Sequence, residues 1–152
     1  MTQTDWILLA VALACVLLAA LVTTAETALS SVSKSRAEKL LADGRPGAKR
    51  LLLQAQDPAP YLNTSLFVRL LLEAVATVLV TLVFFGLFTP TWERILFPVV
   101  TMVLVSFILL GVAPRTLGRQ HAEAVALAAS GPIGVLETVL GPIPQLMIVL
   151  GN

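Results

Sequence analysis

The sequence predicts an all-α membrane protein: three transmembrane helices, two short cytoplasmic helices and a broken juxtamembrane or re-entrant helix. Three observations carry that prediction. Of 152 residues, 57% are hydrophobic and only 12% charged, against about 25% charged in an ordinary soluble domain. Three apolar stretches reach the ~20 residues that cross a hydrocarbon core. The basic residues, finally, crowd into one connection. A single domain over 1–152 accounts for the chain, with little material for a separate soluble unit. One histidine, His121, and one cysteine, Cys15, exclude a disulfide framework within one chain and any Cys/His zinc site. The net charge of +1 gives no footing for a nucleic-acid partner; membrane lipid is the partner that the composition implies.

The first span is read at about 6–30, "WILLAVALACVLLAALVTTAETALSS". It lacks the basic start of a signal peptide, Asp5 being its only early charge, and its apolar run exceeds a signal's core. "ALAC" faintly resembles a lipobox, but the run continues past Cys15 as an anchor's would. The second span is read at about 62–88 and the third at about 95–113, joined by "TPTWERI" with Trp92 at an interface-like position.

Between the first two spans lies a helical hairpin at 34–57 with Lys34, Arg36, Lys39, Arg45, Lys49 and Arg50. The positive-inside rule puts this connection in the cytoplasm and the amino terminus outside. Arg115 and Arg119, after the third span, agree with that orientation. Within the hairpin, Ser35 and Glu38 have capping-box spacing for a helix from Arg36 to Ala42. A second short helix is predicted over Ala48–Gln56, with a basic side and a Leu-rich side suited to a membrane surface. A solvated hairpin is the plain alternative.

The last segment, 122–151, is long enough to cross. Pro132, Pro142 and Pro144 interrupt it, each removing a backbone donor and clashing with the preceding turn. It is therefore read as broken, lying at the interface or re-entering, with a fourth span over 131–151 as the alternative. The apolar ending also suggests a longer protein cut at this point.

Polar residues at membrane depth supply the candidate site. Thr23, Glu26, Thr27 and Ser30 share one helical face, and Ser31 follows. One carboxylate and several hydroxyls are hard oxygen donors suited to a Mg²⁺-like or Na⁺-like ion. The plain alternative is that the hydroxyls bond carbonyls of their own or a neighbouring helix. No nucleophile–base pair or metalloenzyme motif supports an enzyme.

The string "AETALSSVSKSRAEKLLADG", followed by two more spans and "PRTLGR", resembles the transmembrane domain of the CorC/CNNM family of Mg²⁺ transport (cobalt/magnesium efflux) proteins. The resemblance covers nearly the whole chain; Glu26 to Ser33 is its most specific piece, supported by Pro114 to Leu117. It implies three spans, two short cytoplasmic helices and a belt-like juxtamembrane helix. It also implies a bacterial inner-membrane homodimer with a cytoplasmic carboxyl terminus, and a following CBS-pair domain through which ATP would act. Mg²⁺ would be the transported ion. Thr23 falls where the family has an ion-binding serine. The family's Gly-Asn-Asn is here Val68-Arg69-Leu70, and its Gly-Glu-x-x-Pro-Lys is Leu110-Gly111-Val112-Ala113-Pro114-Arg115. Two expected donors are therefore absent, one replaced by a cation.

A guanidinium has five donors and no acceptor, so Arg69 cannot ligate Mg²⁺. Counted from the predicted start of its helix it lies roughly 12 Å deep, where an unpaired charge costs about 2.5–3.5 kcal/mol on insertion scales. Glu73, Glu26 and the nearby hydroxyls are its expected partners, in a network substituting for the metal across Arg69, Glu73 and Gly111. Snorkelling to the interface and an anion site are the alternatives. Two function classes follow: a cation transporter with an altered ion site, or a non-transporting structural or sensing module locked by Arg69.

Overall fold

The computed structural model describes all residues, 1–152. Seven helices and no strands make up the chain: α1 (Gln3–Ser31), α2 (Lys34–Ala42), α3 (Ala48–Gln56), α4 (Ala59–Leu87), α5 (Thr91–Gln120), α6 (Ala122–Leu140) and α7 (Pro142–Gly151). Only 30 of 152 residues are buried, and large apolar side chains such as Leu13, Leu17, Leu21, Val78 and Leu82 face outward. In water such a surface would aggregate; its solvent is hydrocarbon. The chain is a multi-pass membrane protein.

Each boundary has a local cause. Thr2 and Asp5 form a reciprocal capping box at the start of α1. At α2 the cap is Ser33, which accepts from the Arg36 N–H, two residues before the expected Ser35. Ser35 lies inside the helix, its hydroxyl against that of Ser33. Gly44 (φ +70°) and Gly47 (φ +79°) take the left-handed backbone that turns α2 into α3. The α3 bounds agree with those expected.

α1 and α4 run antiparallel along most of their length: Asp5 at the start of α1 lies beside Gly86 at the end of α4. α5 returns alongside both. Ala12, Val16, Ala19, Ala76, Val80, Met102 and Leu110 form the core between these three helices. The small residues of "ALACVLLAA" thus bring α4 and α5 close to α1 within the chain, since without a hydrophobic drive in lipid, close packing holds helices together. A second core joins the end of α1 to α2, α3 and α6 through Leu29, Leu40, Leu51 and Ile133, among others.

Two expectations about the helices change. α5 continues past 113 to Gln120, through a π-helical stretch over Ser106–Val112. Pro114 supplies the reason: it lacks the donor for the carbonyl four residues earlier, and a local widening accommodates the mismatch. The last segment is not broken at Pro132, which sits within the 19-residue α6. The break falls at Gly141-Pro142. By length and composition four helices can cross a membrane, where the sequence predicted three and a broken segment.

Candidate functional site

The candidate site lies on the seam between α1 and α4. Ala19 and Ala76 are fully buried in the same core. Seven residues further along α1 comes Glu26, and seven residues back along α4 comes Arg69. Seven residues are close to two turns, so Glu26 and Arg69 continue the faces that Ala19 and Ala76 bury on the seam. The field reaching the Glu26 carboxylate comes from Arg69 and, from α5, Arg115.

Glu26 and Arg69 nevertheless do not pair directly. Glu26 Oε2 and Arg69 Nε are both buried and neither has a hydrogen-bond partner. The chain's one ion pair is Arg36–Glu123, at the surface between α2 and α6. The field of Arg69 thus reaches Glu26 without a hydrogen bond between the two.

The hydroxyls of Thr23, Thr24, Ser30 and Ser31 are directed into their own helix. Thr23, 2% exposed, donates to the Ala19 carbonyl at 2.8 Å. Ser30 donates to the carbonyls of Glu26 and Thr27 at 2.9 and 3.1 Å, and Ser31 to that of Thr27 at 2.7 Å. Ser30 and Ser31 are exposed, whereas Thr23 faces the seam. A hydroxyl that donates keeps its lone pairs, so Thr23 could still offer an oxygen to a cation. No three His, Cys, Asp or Glu side chains converge on a metal-sized space.

Glu73 has a partner that the sequence reading missed. Its Oε1 accepts a 2.6 Å hydrogen bond from the Ser106 hydroxyl, on the π-helical stretch of α5. Glu73 is the middle residue of α4 (59 to 73, 73 to 87), and Ser106 stands midway along α5 (91 to 106, 106 to 120). The bond therefore ties two apolar helices at their centres. A signal existed: Ser106 is the one hydroxyl between Thr101 and Thr116, in a run otherwise apolar as far as Pro114. Gly111 lies on the same stretch, and a Cβ there would meet only the Ser106 carbonyl, at 3.6 Å. The position has room for a side chain.

Close packing frames the site. A Cβ on Gly118 would come 2.7 Å from the Thr24 carbonyl oxygen and 2.9 Å from Thr27 Cβ. The "TLG" of α5 thus sits directly on the α1 turn that carries Glu26.

An antiparallel pair of apolar helices with unpaired opposite charges on their seam, crossed by a π-bulged third helix, defines a multi-helix membrane domain. The chain belongs to the family of the cyclin M (CNNM) transmembrane N-terminal domain, whose model matches residues 10–152. It is 38% identical over 127 residues to the UPF0053 protein Mb2387c of Mycobacterium bovis, and equally to the UPF0053 protein Rv2366c of Mycobacterium tuberculosis. Those matches cover 84% of this chain but only 29% of either relative.

Proposed function

We propose that this chain is the membrane domain of a divalent-cation transporter or efflux protein with Mg²⁺ as its cargo, its ion site altered by Arg69 and Gly111. The observation that carries the proposal is the buried Glu26 oxygen without a partner, on a seam shared with Arg69. Intramembrane acids are functional sites by default. Glu26 and the Thr23 oxygen are the donors that a cation would meet. Arg69 acts as a tethered cation that occupies the field of Glu26 when no metal is bound. Glu73, held by Ser106, fixes α4 against α5 at the depth where a cation would pass.

The domain sits in the bacterial inner membrane with its amino terminus outside and the α2–α3 hairpin in the cytoplasm, works as a homodimer, and precedes a CBS-pair domain that confers any response to ATP. An enzymatic role is no part of this reading. The test is reconstitution in vesicles: Arg69→Asn combined with Gly111→Glu should increase Mg²⁺ binding and flux over the parent chain. Unchanged binding and flux would sink the site assignment.

A second reading has its own support. The inward-bonded hydroxyls and the lack of a multi-carboxylate cluster favour a structural or sensing module that moves no ion. On that reading the parent chain shows neither Mg²⁺-dependent flux nor Mg²⁺-dependent stabilisation, and Arg69→Ala lowers its thermal stability.

A further inference from the structure

A cavity of about 400 Å³ lies between α3 and α6, away from the Glu26 seam. Arg50, Gln54, Tyr61, Glu137 and Thr138 line it. Gln54 is 3% exposed; its Nε2 donates to the Ser130 carbonyl at 2.7 Å, which fixes the orientation of the amide. Its Oε1 is buried and has no partner. A buried acceptor left unpaired is destabilising, so this oxygen calls for a ligand that brings an N–H or O–H.

The two charges on the cavity wall call for more. The Arg50 guanidinium rests on Gly131, Nη1 lying 2.7 Å from where a Cβ would stand, so any larger residue would displace it. Glu137 is six residues further along α6, about 9 Å at 1.5 Å per residue, and forms no ion pair with Arg50. The wall is thus positive at one end and negative at the other, with an unsatisfied acceptor on Gln54. Leu53, Val135 and Val139 border it and are 56%, 63% and 68% exposed. A cavity with one charge of each sign, edged by outward apolar side chains, suits an amphiphile more than a soluble metabolite, and pockets beside membrane helices take lipid headgroups.

We propose that the α3–α6 cavity binds the headgroup of an ethanolamine glycerophospholipid, phosphate on Arg50 and ammonium on Glu137 and the Gln54 Oε1. The ammonium brings the N–H donors that Gln54 lacks. A choline headgroup has none, and a glycerol headgroup brings hydroxyls but no cation for Glu137.

Lipid retention tests this on the full chain, extracted in mild detergent, exchanged against defined lipids and read by native mass spectrometry. The parent chain should retain the ethanolamine lipid roughly tenfold over its choline counterpart and over the glycerol lipid, the scale of one charge-assisted hydrogen bond. Arg50→Gln should lower retention of every phospholipid. Glu137→Gln should remove the preference for ethanolamine alone. Both side chains are at the surface, and an unchanged melting profile confirms folding of each variant. Equal retention of ethanolamine and choline lipids by the parent chain would overturn the proposal, as would a preference that survives both substitutions. Glycerol lipid held as tightly as ethanolamine lipid would overturn the ammonium contact. Displacement by millimolar phosphoethanolamine without acyl chains would overturn the lipid as source while keeping the headgroup chemistry.

Discussion

Gly118→Ala is the sharpest test of how α5 is seated on α1. The added Cβ would stand 2.7 Å from the Thr24 carbonyl oxygen, 2.9 Å from Thr27 Cβ and 3.2 Å from the Ala28 nitrogen. Ordinary carbon contacts are about 3.5–4.0 Å, so the helices must part by several tenths of an ångström to about 1 Å. The obstructing atoms are backbone or the first side-chain carbon, and no flexible chain end can give way. Overpacking of this kind costs about 1–3 kcal/mol. Gly111→Ala, on the same helix, is the internal control. Its Cβ would meet one atom at 3.6 Å, and Ala in a helix interior gains roughly 0.5–1 kcal/mol over Gly. The two substitutions should therefore move stability in opposite directions. Reversible unfolding in mixed micelles, monitored by circular dichroism, gives both values. A neutral or stabilising Gly118→Ala would refute the close approach of α5 to α1.

Three further outcomes follow from the same geometry. A double-mutant cycle of Glu73→Gln and Ser106→Ala should give a coupling of about 0.6 kcal/mol and at most ~1.7, the range for hydrogen bonds between membrane helices; additive effects would mean that the 2.6 Å bond does not form in lipid. Thr23→Val should leave stability within about 1 kcal/mol, since its hydroxyl returns to its own helix, yet lower Mg²⁺ binding in the Arg69→Asn/Gly111→Glu background; equal binding with and without the hydroxyl would remove Thr23 from the ion site. Gly47→Ala should destabilise more than Gly44→Ala in thermal unfolding. Both positions carry the left-handed backbone penalty of about 1–2 kcal/mol, but only Gly47 also meets Leu127 and Ser130, at 3.0 and 3.2 Å; equal losses would contradict the docking of α3 on α6.

The long helices were legible because hydrophobic length is a signal that a single sequence carries, and the α3 bounds because Gly47 and Pro58 punctuate the chain. The cap of α2 was misplaced by two residues, since Ser33 and Ser35 offer the same chemistry and only the geometry after Val32 selects between them. Pro132 marked a break that does not occur. A proline inside a helix removes one hydrogen bond, and in a packed membrane helix its neighbours compensate, so the chain yields instead at Gly141-Pro142. At the site, helical spacing grouped Thr23 and Glu26 with Ser30, of which the structure buries Thr23 and leaves Ser30 exposed. Partners on other helices were not readable. Helical spacing within α4 made Glu73 the nearest mate for Arg69, whereas the neighbouring helix supplied Ser106. Which side chain completes a pair depends on the rotation of one helix against another, and no periodicity encodes that.

The unpaired state of Glu26 and Arg69 separates the two functional readings by charge arithmetic. A guanidinium and a divalent ion roughly 6 Å apart repel by about 5.5 kcal/mol at an effective dielectric of about 20. That corresponds to about four orders of magnitude in affinity, more than a thousand times the effect that loss of one neutral ligand usually has at the low end of its range. At such a separation, a fixed Arg69 would weaken Mg²⁺ binding at Glu26 and Thr23 by that factor. Doubling the separation halves the repulsion, so a swing of the long Arg69 side chain toward the near end of α4 restores much of the affinity. Arg69 makes no hydrogen bond through Nε and no ion pair that would oppose such a swing. A locked structural module calls for Arg69 closed onto a carboxylate, and a tethered cation for Arg69 without an ion pair; the structure has no Arg69 ion pair. The transporter reading then requires Arg69→Lys, which keeps the charge on a flexible stem, to preserve the Mg²⁺ flux of the parent chain. If Arg69→Lys abolishes flux while folding is intact, the planar guanidinium is a structural part and the tethered-cation account fails.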